Sequence, residues 1–263
     1  MQGQHSVNKL FLAFSALLIA VLLTPFCFAQ NPAPTPQTYL VTVVHVKPDM
    51  DLEYRELIKE AAAAYKKGGG KEWQTWTTAL LGNAFEYWIF RPVENIKQFD
   101  SPGPMVKGLG EEGMRALTVK RNRMIVSTRT FLATTIPTLS VAPKSAPKLC
   151  IGVITDLTPG RWEDYGKWLR ENALTANAKT DSKGVITWAE GLGGNPNTAH
   201  VAVFFDNFED IGNFVQAYNK ALADLKLQPN PPAGIQSQVE FAVYRHVPEL
   251  SFAPAPAVKA ETK

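Results

Sequence analysis

Beyond the first 29 residues of this 263-residue chain, the side chains best suited to proton chemistry are three histidines, His45, His200 and His246. An imidazole changes charge near neutrality, so each is a candidate acid, base or ligand. Their spacing excludes several chemistries. The chain has no H-x-x-x-H, H-E-x-x-H or C-x-x-C pattern, so no metal and no other cofactor is expected. A haem-type role for any of the three is a minor reading beside plain hydrogen bonding at a strand rim. His45 is the residue to which a catalytic role, as a base, is assigned. No Gly-x-Ser-x-Gly elbow occurs, and Gly68–Gly70 and Gly191–Gly194 lead into strands rather than helices, so they are turns and not phosphate cradles.

Binding chemistry rests on aromatics and arginines. Trp73, Trp76, Tyr87 and Trp88 cluster in the first half of the chain, and Trp188, Phe204 and Phe205 in the second. Tyr87 and Trp88 are neighbours in an extended run, so they point to opposite faces and one of them lines any interior. Arg129 and Arg245 are read as matching positions that hold a carboxylate ligand or pair with Glu86, Glu190 or Asp156; pairing is the stronger reading. The candidate ligand-binding set is therefore Tyr87, Trp88, Arg129, Asp156, His200 and Arg245. Such a set suits a small apolar or aromatic molecule.

These residues sit in a chain that repeats itself. YLVTVVHVKPDMDLEYRELIKE, from Tyr39 to Glu60, returns as CIGVITDLTPGRWEDYGKWLRE, from Cys150 to Glu171, at an offset of 111 residues. Trp76-Thr77 matches Trp188-Ala189, and Gly82-Asn83 matches Gly194-Asn195. A period this long marks a duplicated domain, because solenoid repeats run about 20–50 residues. His45 falls on Asp156, and the Tyr87-Trp88 pair is placed against Ala202-Val203. That asymmetry predicts a single pocket biased toward His45, Tyr87 and Trp88.

Each half predicts the order β-α-β-β-α-β. Strands are expected at Tyr39–Val46 and Cys150–Leu157, each closed by a proline turn, and helices at 52–67 and 161–178 with apolar residues at helical spacing. A Gly-Asn hairpin joins the next two strands, 73–79 with 85–90 and 185–190 with 200–205. A second helix is expected near Val93 or Phe208, and a last strand through 124–132 or 239–247. One face of the first strand (Leu40, Thr42, Val44, Val46) suits packing under helices. The opposite face (Tyr39, Val41, Val43, His45) would be bare and sticky unless the other half covers it.

The ends carry other signals. Residues 1–29 read as a cleavable signal peptide, with Lys9 ahead of an apolar run and Cys27-Phe28-Ala29 at the cleavage site. Cleavage would leave an exported, periplasmic or secreted, protein with no stable membrane insertion. It would also leave Cys150 as the sole cysteine, without a disulfide partner, so the core must hold the fold. Loss of Lys9 takes the formal net charge from +3 to +2, and Lys120-Arg121-Asn122-Arg123 is the one dense basic stretch, so nucleic acid is not an expected partner. The expected organisation is signal 1–29, Pro-rich lead-in 30–38, first unit 39–132, linker 133–147, second unit 148–250 and disordered tail 251–263.

Strands ending in V-K-P-D or L-T-P-G, helices carrying Glu53-Tyr54 or Asp164-Tyr165, a Trp-bearing strand, the Gly-Asn hairpin and the run Phe205-x-x-x-Glu209-Asp210-Ile211 together resemble the dimeric α+β barrel superfamily. That group holds antibiotic-biosynthesis-monooxygenase-like, NIPSNAP-like and EthD-like domains. The resemblance spans Tyr39 to Val247. It implies an α+β fold of two tandem ferredoxin-like units packed as a barrel within one chain, as a monomer or weak homo-oligomer. Since the fold hosts many chemistries, three functions stand in order: a binder of a small apolar ligand, a cofactor-independent monooxygenase-like or isomerase-like enzyme, and a non-catalytic interaction module.

Overall fold

The computed structural model describes residues 35–143 and 145–253. The expected signal peptide, most of the Pro-rich lead-in and the last ten residues of the tail lie outside them. Eight strands form a closed antiparallel barrel: β1 Thr38–Val46, β2 Gln74–Thr78, β3 Glu86–Val93, β4 Ile125–Thr135, β5 Leu149–Leu157, β6 Gly184–Glu190, β7 Thr198–Phe205 and β8 Gln236–His246. Around the barrel the order is β1-β3-β2-β8-β5-β7-β6-β4. The first four strands thus run 4-1-3-2, and the last four repeat that order. Two short seams join the groups, Trp76 to His246 between β2 and β8, and Ala133 to Glu190 between β4 and β6. With both seams made, no strand of the barrel presents an open edge.

Helices lie outside. α1 (Asp51–Lys67) and α2 (Pro104–Met124) cover Val44, Val46, Tyr87 and Ile89 of the first group. α1 and α2 meet closely because Gly108 has no side chain: a Cβ there would lie 2.0 Å from the Ala64 carbonyl oxygen. On the second group, α3 (Trp162–Trp168), a π-helical turn (Leu169–Ala173), α4 (Leu174–Asn177) and α5 (Phe208–Asp224) cover Leu157, Val201, Val203 and Phe205. Tyr54 and Tyr165 occupy corresponding places on α1 and α3, both buried under their helices. Alternation along each strand sends the other set of side chains inward. Val41, Trp76, Trp88, Phe131, Cys150, Ala202, Phe204 and Tyr244 form a third apolar cluster inside the barrel.

Two elements differ from expectation. In the first half the second helix begins at Pro104, not near Val93; β3 runs on to Val93 and a 3-10 turn (Ile96–Asp100) follows. Pro102 and Pro104 explain the delay, since a proline is tolerated at the first turn of a helix but not inside one. The segment after β4 also does more than connect. Val141 bridges to Val185, and the Ser140 hydroxyl accepts from the Thr187 backbone N–H at 2.9 Å. No helix among the described residues is long and apolar enough to cross a membrane.

Candidate functional site

The barrel is not solid. A cavity of about 580 Å3 occupies its interior, walled by Trp76, Trp88, Phe90, Trp188 and Phe204 and reaching His200. Exposed Gln37, Ser145 and Ala146 stand at its rim, while His200 is 2% exposed. The size suits a small molecule, and the lining is mainly apolar.

Two carboxylates are buried on the inner strand faces. Glu190, 3% exposed, ends β6 two residues beyond Trp188 and so shares its face. Its Oε1 accepts from His200 Nε2 at 2.8 Å, and its Oε2 accepts from Arg129 at 2.9 Å and from the Asn195 backbone N–H at 2.8 Å. Burial pushes this carboxyl up, yet the bonds from His200 and Asn195 and the charges of His200 and Arg129 outweigh it and hold it below its ordinary value. Glu190 is therefore an anion at neutral pH.

Glu86, 5% exposed, opens β3 two residues before Trp88. Its Oε1 accepts from the Trp88 indole at 2.6 Å and the Tyr244 hydroxyl at 3.0 Å; its Oε2 accepts from His45 Nε2 at 2.5 Å and Asn83 at 3.3 Å. One carboxylate thus fixes two rings of the cavity wall. Tyr244 has its hydroxyl pKa raised strongly, first by burial and then by Glu86, so it remains a donor. Its ring can lie across β5 because position 152 is glycine: a Cβ there would sit 2.7 Å from the ring.

Three further groups line the cavity. Burial pushes the Cys150 thiol up to about 12, so it stays protonated. His246 packs on Trp76 at 5.1 Å, and burial lowers its pKa against the opposing pull of Glu249. Tyr39 is raised to about 12 by burial and by the Glu72 charge.

No protein-family model and no curated protein sequence matches this chain. Solved structures do. An anthrone oxidase-like protein superposes with a TM-score of 0.57 at 10% identity, covering 87% of this chain and 98% of its own. A protein of Lactobacillus acidophilus NCFM, provisionally described as a monooxygenase, gives 0.52 at 10% identity, with coverages of 81% and 94%. A mutant chlorite dismutase of Candidatus Nitrospira defluvii also gives 0.52 at 10% identity, covering 81% and 92%. These neighbours share with one another and with this chain the architecture of an α+β barrel. Identities this low carry the architecture and nothing of the chemistry.

Within this α+β barrel, the residues expected at the site separate. Trp88 and His200 line the cavity. His45 lies on the inner-facing set but at the barrel end, bonded to Glu86 and away from the cavity lining. Tyr87 points the other way, under α1, where its hydroxyl donates to Asp51 at 2.5 Å. Arg129 reaches Glu190 and lies over the Phe131 ring at 4.6 Å, in the pairing role. Asp156 accepts from the Thr198 hydroxyl at 2.5 Å near the end of β5. Arg245 is exposed on the outer face of β8.

Strand register corrects the expected matches. Val43 pairs with Trp88 and Arg129, and Ile154, its counterpart, pairs with His200 and Glu240. Trp88 therefore corresponds to His200, not to Val203, and Arg129 corresponds to Glu240, not to Arg245. The interior cavity is consequently drawn from both halves rather than from His45, Tyr87 and Trp88. Glu86 and Glu190 were visible only as partners for arginine. The signal that would have promoted them is an acid two positions from a tryptophan on the same strand face.

Proposed function

We propose that this chain is an exported, internally duplicated α+β barrel that binds a small, flat, largely apolar molecule in its interior. One observation carries the reading: an aromatic-walled cavity of about 580 Å3 whose rings are held in place by buried carboxylates. Rigid walls of this kind lose little entropy on binding. Native mass spectrometry of protein purified from its exporting host tests it. A retained small molecule of fixed mass is the expected result, and a bare protein that also fails to bind any aromatic probe would overturn it.

Duplication is supported by the sequence repeat and by the same 4-1-3-2 strand order in both groups. Residues 31–133 expressed alone should aggregate or pair with themselves, because both seams would be bare. Export is supported by the first 29 residues; a mature N-terminus at Gln30 is the expected read from N-terminal sequencing.

A second reading, a cofactor-independent monooxygenase-like or isomerase-like enzyme, draws on one feature. His200 meets the cavity while held by an ionised carboxylate, an arrangement that suits a general base. Substrate-dependent oxygen uptake or isomer formation that disappears in His200→Phe is the result that would favour it.

A further inference from the structure

The two ends of the cavity are unlike. Glu86 opens β3 and Glu190 closes β6, so the rings they hold, Trp88 and His200, lie toward the floor. Gln37 precedes β1, Gln74 begins β2 and His246 ends β8. Antiparallel pairing of β3 with β1 and β2, and of β2 with β8, brings these three residues to the opposite end, the mouth. All three are uncharged at neutral pH, because burial holds His246 below its ordinary value against the pull of Glu249. Among the described residues no lysine, arginine, aspartate or glutamate lines the cavity.

The three histidines differ in what they have left to offer. His45 and His200 each commit Nε2 to a glutamate. His246 packs its ring on Trp76, and among the described residues neither of its nitrogens has a hydrogen-bond partner or is closed off by its surroundings. A neutral imidazole presents one N–H and one lone pair in either tautomer. Deeper in, the Tyr244 hydroxyl and the Trp88 indole are already spent on Glu86. A polar group carried to the floor would give up water for a wall whose donors serve another acceptor.

We propose that the cavity takes an amphipathic guest with its polar end outward: a flat apolar ring system goes in first, and one uncharged group that both donates and accepts, such as a carboxamide, stays at the mouth on His246. This inference rests on the ligand-binding reading above and adds the orientation of the guest, its polar group and the residue that recognises it. A charged end would find no opposite charge in the wall, and a bare hydrocarbon would leave His246 to water.

The experiment is titration of the purified protein with naphthalene probes, followed by tryptophan fluorescence and calorimetry. Two probes carry the same long tetraethylene glycol tether on 2-naphthamide, one on the amide nitrogen and one on ring carbon 6. The first can leave its tether outside the mouth and should bind within about twofold of 2-naphthamide itself. The second must pack its tether inside or turn its amide to the floor, and should bind about tenfold more weakly. His246→Phe keeps a ring on Trp76 and removes both nitrogens. It should weaken 2-naphthamide about fivefold, the worth of one ordinary hydrogen bond, and leave 2-methylnaphthalene unchanged. Equal affinity for the two tethered probes would overturn the inference, as would an unchanged affinity of folded His246→Phe for 2-naphthamide. The tethered pair decides in wild type even if the variant does not fold. Binding of none of the probes would instead overturn the ligand-binding reading on which the inference rests.

Discussion

His200 and Trp188 lie face to face on neighbouring strands, their ring planes 2° apart and their centroids separated by 5.2 Å. The pair is directly opposed in the β6–β7 register, where side chains on one face come closest. It ties the polar part of the interior to its aromatic wall, because the same imidazole also bonds Glu190.

Glu190→Ala should be among the most damaging single substitutions. It strips His200, Arg129 and the Asn195 N–H of their shared acceptor in a buried place. Breaking one partner of such a buried pair costs about 3–5 kcal/mol. Urea denaturation monitored by circular dichroism should show the midpoint fall accordingly; a fall typical of an exposed surface ion pair would mean the network contributes little.

The same carboxylate gives stability a pH dependence of defined sign. Its folded pKa is lowered, so the unfolded chain takes up a proton first as pH falls. The contribution is fully present above about pH 5, beyond the ordinary glutamate value, and drains away as pH drops through the folded value. Wild type and Glu190→Gln should therefore differ most near neutrality and converge in acid. A gap between them that stays constant down to pH 3 would contradict the assignment.

Tyr54 should reveal a hydroxyl that the fold does not need. The side chain is fully buried, packs edge-on against Tyr87 at 5.1 Å, and its hydroxyl has no hydrogen-bond partner. Tyr54→Phe should leave the melting temperature unchanged or raise it, since an unmatched buried polar group costs about 1–3 kcal/mol. Tyr54→Ala should cost about 3–5 kcal/mol through lost packing. If Tyr54→Phe destabilises as much as Tyr54→Ala, the hydroxyl is engaged after all.

Gly152→Ala should damage binding more than folding. The added methyl displaces the Tyr244 ring into the cavity and weakens its bond to Glu86. Overpacking of this kind costs about 1–3 kcal/mol. Naphthalene-type probes should lose affinity by at least tenfold while the circular dichroism spectrum stays that of wild type. Unchanged affinity would show that the Tyr244 wall is not part of the binding surface.

Period and alternation made most of the architecture readable. The inward set of β1 and the outward set under α1 follow from its two-residue rhythm, and proline turns end both first strands where expected. The delayed start of α2 was harder, because Glu94, Ile96 and Phe99 imitate the pattern of Glu209, Ile211 and Phe214 on α5. Only the prolines at 102 and 104 break the likeness. At the site, Trp88 and His200 could be singled out by residue type, but their correspondence could not. Matching Trp88 to Val203 was an error of three positions, and an odd shift turns every side chain of a strand to the opposite face. Glu86 and Glu190 went unpromoted for a related reason. A buried carboxylate is defined by the donors that converge on it, and at Glu86 those come from three different strands and a loop.

Trp88 and His200 hold the same place in the two strand groups, and they are different residues. A barrel assembled from two identical chains would show each interior side chain twice, once on either side of the symmetry axis. Its lumen would be ambidextrous, with a guest meeting the same chemistry whichever way round it entered. A single chain is free of that constraint. With an indole on one side and a carboxylate-held imidazole on the other, the lumen has a handed interior, and a guest in it has a front and a back.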